Sequence, residues 1–124
     1  MTLTLLALAI AAGTATRYDP GVMQAVVANR EAFGQLELSV EPEGYVALLD
    51  CDHLGRLVWL QAGQRVDGPY AVADCAAAAH RPALEDRGVA VDLSWEVALE
   101  WGVIDAPLPG FTVWDVPPAP WTAN

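Results

Sequence analysis

Two aspartates, Asp74 and Asp92, lie at or near the ends of apolar segments that have the pattern of β-strands, residues 70–73 and 89–93. Two carboxyl groups that share a groove can divide the work of acid–base catalysis, because one can hold a proton while the other is ionised. Such a pair suits the cleavage of a glycan, which needs a proton donor at the glycosidic oxygen. The structural alternatives are that Asp74 orders a loop by accepting backbone N–H groups, and that Asp92 helps to cap the following helix.

Other side chains could take part in chemistry or in binding. His53 is a further candidate for acid–base work, although a lone histidine beside a glycine turn is more often a turn residue. Flat aromatic side chains stack on sugar rings, and the sequence leaves Trp114 and Trp121 as candidates for exposed platforms. The other three of the five tryptophans lie where core residues are expected.

The two cysteines, Cys51 and Cys75, each follow an acidic residue at the end of an apolar run. Similar strand ends would bring both thiols to the same rim, so a structural disulfide is predicted, with buried free thiols as the alternative. A bridge that closes a loop of about 25 residues stabilises the fold by roughly 3.5 kcal/mol in the chain-entropy model. No Cys-x-x-Cys motif or histidine at ligand spacing accompanies the cysteines, so neither a metal nor a cofactor is predicted.

The elements that must position these residues are mostly strands. Strands are predicted over residues 12–18, 45–49, 57–60, 70–73, 89–93 and 111–114. A helix of about three turns is predicted after Asp19-Pro20, with the aspartate as its N-cap. A short helix falls within residues 76–86, and another spans residues 95–101 between a Ser94 cap and a Gly102 stop. This order indicates a mainly β domain and favours a small barrel over a sandwich.

Length and charge limit the function. With 124 residues the chain is one domain, and its formal net charge of −10 argues against nucleic acid and against polybasic attachment to anionic lipid. Residues 1–11 form an apolar segment that is too short to span a bilayer. The segment is either a secretory signal without the usual positive start or an additional strand of the fold.

Four segments resemble the motifs of the rare-lipoprotein-A-like double-psi β-barrels, which are related to the expansin and barwin domains. They are residues 13–18 (GTATRY), 55–60 (GRLVWL), 68–74 (GPYAVAD) and 87–94 (RGVAVDLS), the last followed by Ala98 and Trp101-Gly102. The resemblance implies a six-stranded double-psi barrel with two or three short helices over residues 12–116, and a Pro-rich tail at 117–124. It also implies that Asp74 and Asp92 occupy the positions of the family's functional acids.

The resemblance implies a secreted or envelope-associated domain that binds a cell-wall polysaccharide or a protein partner. The sequence departs from the lytic pattern around Asp74, which lacks the following Arg and Gly-Pro, and at His53, which lies only two residues before Gly55. A non-catalytic binding domain is therefore predicted. The alternatives are a peptidoglycan lytic transglycosylase using Asp74 and Asp92, and a homo-oligomeric building block of a filament, surface layer or phage particle.

Overall fold

The computed structural model describes residues 6–119. This part of the chain contains six strands and three helices. The strands are β1 (Ala9–Arg17), β2 (Tyr45–Leu48), β3 (Leu57–Ala62), β4 (Arg65–Cys75), β5 (Val89–Leu93) and β6 (Leu108–Trp114), and the helices are α1 (Val22–Ala32), α2 (Arg81–Asp86) and α3 (Trp95–Trp101). A single 3₁₀ turn, Cys51–His53, follows β2. Among the described residues, no helix is long and apolar enough to cross a membrane.

The strands form one closed barrel in the order β1-β5-β2-β4-β3-β6. Two strand pairs are parallel, β1 with β5 and β2 with β4, and the other four neighbouring pairs are antiparallel. Closure gives every strand two hydrogen-bonded neighbours, so no edge is left exposed. The predicted mainly β, six-stranded barrel with short helices is confirmed.

Side chains alternate between the barrel interior and its outer surface, as the two-residue period of a strand requires. In β5, Val91 and Leu93 are fully buried, whereas Asp92 between them points outward. The interior is filled largely by branched aliphatic side chains, including Val46, Leu48, Val58, Leu60, Val72 and Val113.

Helix α1 packs across the outside of the barrel and builds a second apolar cluster there. Its buried residues Met23 and Val27 contact Leu36, Ala47 of β2 and Ala73 of β4. The small alanine side chains on the two strands allow the helix to approach the barrel wall closely. Helix α1 therefore covers part of the outer face of β2 and β4. The polar residues next to the covered part lie at the rim of this contact.

Helix boundaries follow local signals for α3 but not for α1. The hydroxyl of Ser94 accepts a hydrogen bond from the Val97 backbone N–H (3.3 Å), and Gly102 ends α3 in a left-handed conformation, both as predicted. The prediction that Asp19 caps α1 is wrong, because its carboxylate instead accepts a hydrogen bond from Arg17 (2.8 Å). Gly21 occupies the N-cap position of α1, which therefore has no side-chain cap.

Four strands extend beyond their predicted limits, namely β1, β3, β4 and β6. Strand β4 already begins at Arg65, directly after the turn at residues 63–64, because residues 65–67 pair with β3. Strand β1 begins at Ala9, inside the apolar segment, where Ala9 pairs with Trp114 of β6. The signal-peptide alternative for residues 1–11 stays a prediction.

Candidate functional site

Asp74 and Asp92 lie on the same outer face of the barrel, on either side of β2. Ala47 of β2 is the register partner of Asp74 on β4 and also of Asp92 on β5. Residues that are directly opposite each other on neighbouring strands point to the same face of a sheet. The backbones of the two aspartates are therefore two strand spacings apart, roughly 10 Å.

A β-bulge in β4 turns Asp74 outward. Val46 pairs with Val72 and the next residue, Ala47, pairs with Asp74, so Ala73 is an extra residue on β4. Val72 points into the barrel, and strict alternation from there would direct Asp74 inward as well. The bulge instead places Ala73 under α1 and Asp74 at the rim of that helix, since bulges redirect the side chains that follow them.

Two hydroxyl groups, one on β1 and one directly after it, hold the two aspartates. Thr16 is the register partner of Asp92, and its side chain is hydrogen-bonded to that carboxylate. Tyr18, two residues further on, donates its phenolic O–H to Oδ2 of Asp74 (2.7 Å). Burial, followed by this bond to Asp74, raises the pKa of Tyr18 far above its usual value. The phenol therefore stays protonated and remains a donor.

Arg30 of α1 completes the environment of Asp74. Its Nη2 donates to Oδ1 of Asp74 (2.7 Å), and its Nη1 donates to Oε1 of Gln35 (3.3 Å). The Arg30 and Asp74 side chains are only 21% and 19% exposed, so this pair is screened less than a surface ion pair. Both oxygens of Asp74 are thus engaged by side chains, and the predicted role in accepting loop N–H groups is not the one found.

Asp92 is the group of this cluster that is suited to proton transfer. Its pKa rises from 3.8 to about 6, chiefly because the carboxyl group is buried; the hydrogen bond from Thr16 opposes the rise, and the negative charge of Asp74 contributes to it. Its Oδ1 atom is buried and has no hydrogen-bond partner among the described residues. Asp92 can therefore gain and lose a proton near neutral pH, whereas the carboxylate of Asp74 is held by a cation and a phenol.

A groove of about 500 Å³ runs beside α1 and ends at Asp74. Five of its lining residues lie along one face of α1, where apolar side chains give way to polar ones toward the end of the helix, and Gln35 and Asp74 complete the lining. The apolar residues are Val22, Ala25 and Val26; the polar ones are Asn29, Arg30, Gln35 and Asp74. An apolar wall with a few converging polar groups is typical of a small-ligand site.

The disulfide Cys51–Cys75 is confirmed. Cys75 directly follows Asp74, so the bridge ties the 3₁₀ turn to the end of β4 beside the site. The turn is also capped by Asp50, whose carboxylate accepts a hydrogen bond from the Asp52 backbone N–H (2.9 Å). His53 ends the turn with its Nδ1 buried and no hydrogen-bond partner within residues 6–119, and its predicted role in chemistry stays a prediction.

Trp114, one of the two candidate platforms, does not join the aspartates. Trp114 is on β6, which lies opposite β2 in the barrel order, and its indole N–H donates to Gln61 (2.9 Å). Trp121 falls outside the described residues. Within residues 6–119, no group of three or more His, Cys, Asp or Glu side chains is placed to hold a metal ion.

Five residues of the site were not singled out in the sequence: Thr16, Tyr18, Asn29, Arg30 and Gln35. Thr16 and Tyr18 both lie within the strand predicted over residues 12–18, and the two-residue period of a strand could have placed their side chains on the same face. No local signal could have found Arg30, which meets Asp74 across 44 positions of sequence.

Comparison with protein-family models, with curated proteins and with solved structures finds no match to this chain. The family resemblance therefore depends on the four sequence segments and is supported, at the level of architecture, by the closed mixed barrel.

Proposed function

We propose that this protein is a secreted or envelope-associated barrel of the double-psi, rare-lipoprotein-A-like type that binds a cell-wall glycan without cleaving it. The observation that carries the proposal is the groove beside α1, which ends at Asp74, one of the two positions that the family resemblance marks as functional. The predicted role of a protein partner, in place of a glycan, becomes an outcome of the test.

The chemistry of the groove supports a polyhydroxylated, uncharged ligand. The amide of Asn29 offers donors and an acceptor, and the amide of Gln35, whose Oε1 accepts from Arg30, still offers its N–H donors; the hydroxyl groups of a sugar require both kinds of partner. The apolar side formed by Val22 and Val26 suits the C–H face of a pyranose ring. Because both oxygens of Asp74 are already engaged, this carboxylate is better suited to binding than to catalysis.

The architecture and the disulfide agree with this proposal. The closed six-stranded barrel with two parallel strand pairs agrees with the double-psi barrel that the sequence resemblance implies. Disulfides persist mainly in oxidising compartments, and the bridge between Cys51 and Cys75 supports an extracellular or envelope location.

The test is binding to wall material. Purified protein is sedimented with insoluble peptidoglycan and titrated with a hexamer of N-acetylglucosamine, with amide chemical shifts as the readout. We expect the largest shift changes at Asn29, Gln35 and their neighbours. Gln35→Ala should weaken binding several-fold, whereas Gln64→Ala, an exposed glutamine in the β3–β4 turn, should not change it. Failure to bind either material refutes the proposal and favours a protein partner.

A second candidate function, lytic transglycosylase activity, is favoured by one specific observation. Asp92 combines a pKa of about 6 with a place on the outer face of the barrel, and its Oδ1 has no hydrogen-bond partner among the described residues, which are properties that suit a general acid. In this mechanism Asp92 protonates the glycosidic oxygen, and its carboxylate then accepts the proton of the sugar hydroxyl that closes the anhydro ring. Asp74 takes no proton in this scheme.

The catalytic alternative has a direct assay. Purified protein incubated with sacculi should release anhydro-muropeptides, faster below pH 6 than above it, because only protonated Asp92 can donate. Asp92→Asn should abolish the release while the barrel stays folded. If wild-type protein gives no anhydro product at pH 5, the catalytic alternative is excluded and the binding function stands alone.

A further inference from the structure

Resting on the proposed glycan binding, we infer that Asp74 makes the groove selective for uncharged glycans and excludes anionic ones. A guanidinium in a ligand groove ordinarily recognises carboxylate or phosphate groups through paired hydrogen bonds. Arg30 lines this groove, so the question is whether its charge is available to a ligand.

The hydrogen bonds of Arg30 show that its positive charge is already paired within the protein. Nη2 is bound to Asp74 (2.7 Å) and Nη1 to Gln35 (3.3 Å), while Nε has no hydrogen-bond partner among the described residues but is buried, out of reach of a ligand in the groove. Asp74 cannot easily turn away from the guanidinium, because Tyr18 holds its other oxygen at 2.7 Å. The bulge in β4 and the neighbouring disulfide fix the backbone on both sides of this carboxylate.

The charge around the groove opposes an anion as well. Arg30 and Asp74 cancel, Asp92 lies close enough to Asp74 to interact with it electrostatically, and the whole chain carries a formal net charge of −10. An anionic glycan would therefore meet a neutral to negative site inside a negative protein. This field does not weaken the binding of a neutral glycan, because the hydroxyls of the glycan need only the amides of Asn29 and Gln35.

The inference predicts opposite preferences for wild-type protein and for Asp74→Asn. The probes are the hexamer of N-acetylglucosamine and the same hexamer with its C6 hydroxyls oxidised to carboxylates, titrated by calorimetry at pH 7.5. Wild-type protein should bind the neutral hexamer at least roughly tenfold more tightly than the carboxylated one. In Asp74→Asn the guanidinium is released, and binding of the carboxylated hexamer should rise by roughly tenfold and weaken again with added salt.

Two further variants separate selectivity from a general change in charge or stability. Asp105→Asn makes the same change in charge at an exposed position and should leave the preference unaltered. Gln35→Glu places a carboxylate on the other side of Arg30 and should lower binding of the carboxylated hexamer further. This variant also provides a test if Asp74→Asn does not fold, which circular dichroism will show.

The outcomes distinguish the inference from the function on which it rests. Equal binding of both hexamers by wild-type protein overturns the selectivity but leaves glycan binding intact. A folded Asp74→Asn that keeps the wild-type preference also overturns it. If wild-type protein binds neither hexamer nor wall material, both the proposed function and the selectivity are refuted.

Discussion

Replacing Asp92 by asparagine should make the protein more stable at neutral pH. Burial raises the pKa of Asp92 from 3.8 to about 6 in the folded protein, so ionising it costs more in the native state than in the unfolded chain. The folded state therefore holds more protons than the unfolded state between about pH 4 and pH 6. Stability from this group is fully present below pH 4 and falls as the pH rises through 6.

The size of the effect follows from the shift. A difference of about two pKa units corresponds to about 3 kcal/mol, and partial exposure of the carboxyl group reduces this to about 2 kcal/mol. Asparagine is nearly isosteric with the protonated acid, and its carbonyl oxygen can still accept the hydrogen bond from Thr16. Asp92→Asn should thus exceed wild-type protein in free energy of unfolding by about 2 kcal/mol above pH 7, and by nearly nothing at pH 4.

The assay is urea unfolding of both proteins at pH 4, 5, 6, 7 and 8, with the difference in unfolding free energy plotted against pH. Taking the difference removes the contributions of the other carboxylates, which both proteins share. Asp105→Asn, at an exposed position, serves as the control and should show a difference that does not change with pH. The reasoning is refuted if Asp92→Asn is less stable than wild-type protein at pH 8, or if its advantage is the same at pH 4 and pH 8.

Two further predictions concern the fold around the site. Replacing both Cys51 and Cys75 by serine should lower the free energy of unfolding by roughly 3 kcal/mol, because the unfolded chain gains entropy when the cross-link is removed. Urea unfolding of the variant and of wild-type protein under oxidising conditions measures the difference, and equal midpoints would contradict the prediction. Tyr70→Phe should lower the free energy of unfolding by about 1–2 kcal/mol, because the buried indole N–H of Trp101 loses its acceptor (3.1 Å). Tyr45→Phe, at a half-buried position, should lower it less, and thermal melting of both variants checks this order.

The parts of the fold that the sequence predicts are those encoded by local signals. Helix α3 is bounded by a serine whose hydroxyl caps it and by a glycine that ends it, and both signals lie within eight residues of each other. Strand β5 has the bounds that the sequence predicts, because its short apolar run lies between the glycine at 88 and the serine that caps α3. The cap of α1 was assigned wrongly, since Asp19 has a stronger partner in Arg17 than in any backbone N–H.

The parts of the site that could not be predicted depend on strand register and on long-range contacts. The positions of Asp74 and Asp92 at strand ends were evident, but their common face depends on which residue of β2 each of them opposes. A slip of one residue would have turned either side chain inward. The bulge at Ala73 has no sequence signature of its own, and without it Asp74 could not reach Tyr18 or Arg30.

The bulge and helix α1 form one structural unit, and this explains why a site occurs at this place on the barrel. Ala73, the extra residue, packs beneath Met23 and Val27 of the helix, while its neighbour Asp74 binds Arg30 on the last turns of the same helix. Apolar contact sets the distance of the helix from the wall, and the ion pair sets its rotation. If Ala73 paired with Ala47 in regular register, strict alternation from Val72 would direct Asp74 into the barrel, and the outward carboxylate beside α1 would be lost. The position of Asp74 beside α1 therefore depends on one unpaired residue of β4 and on the helix that covers it.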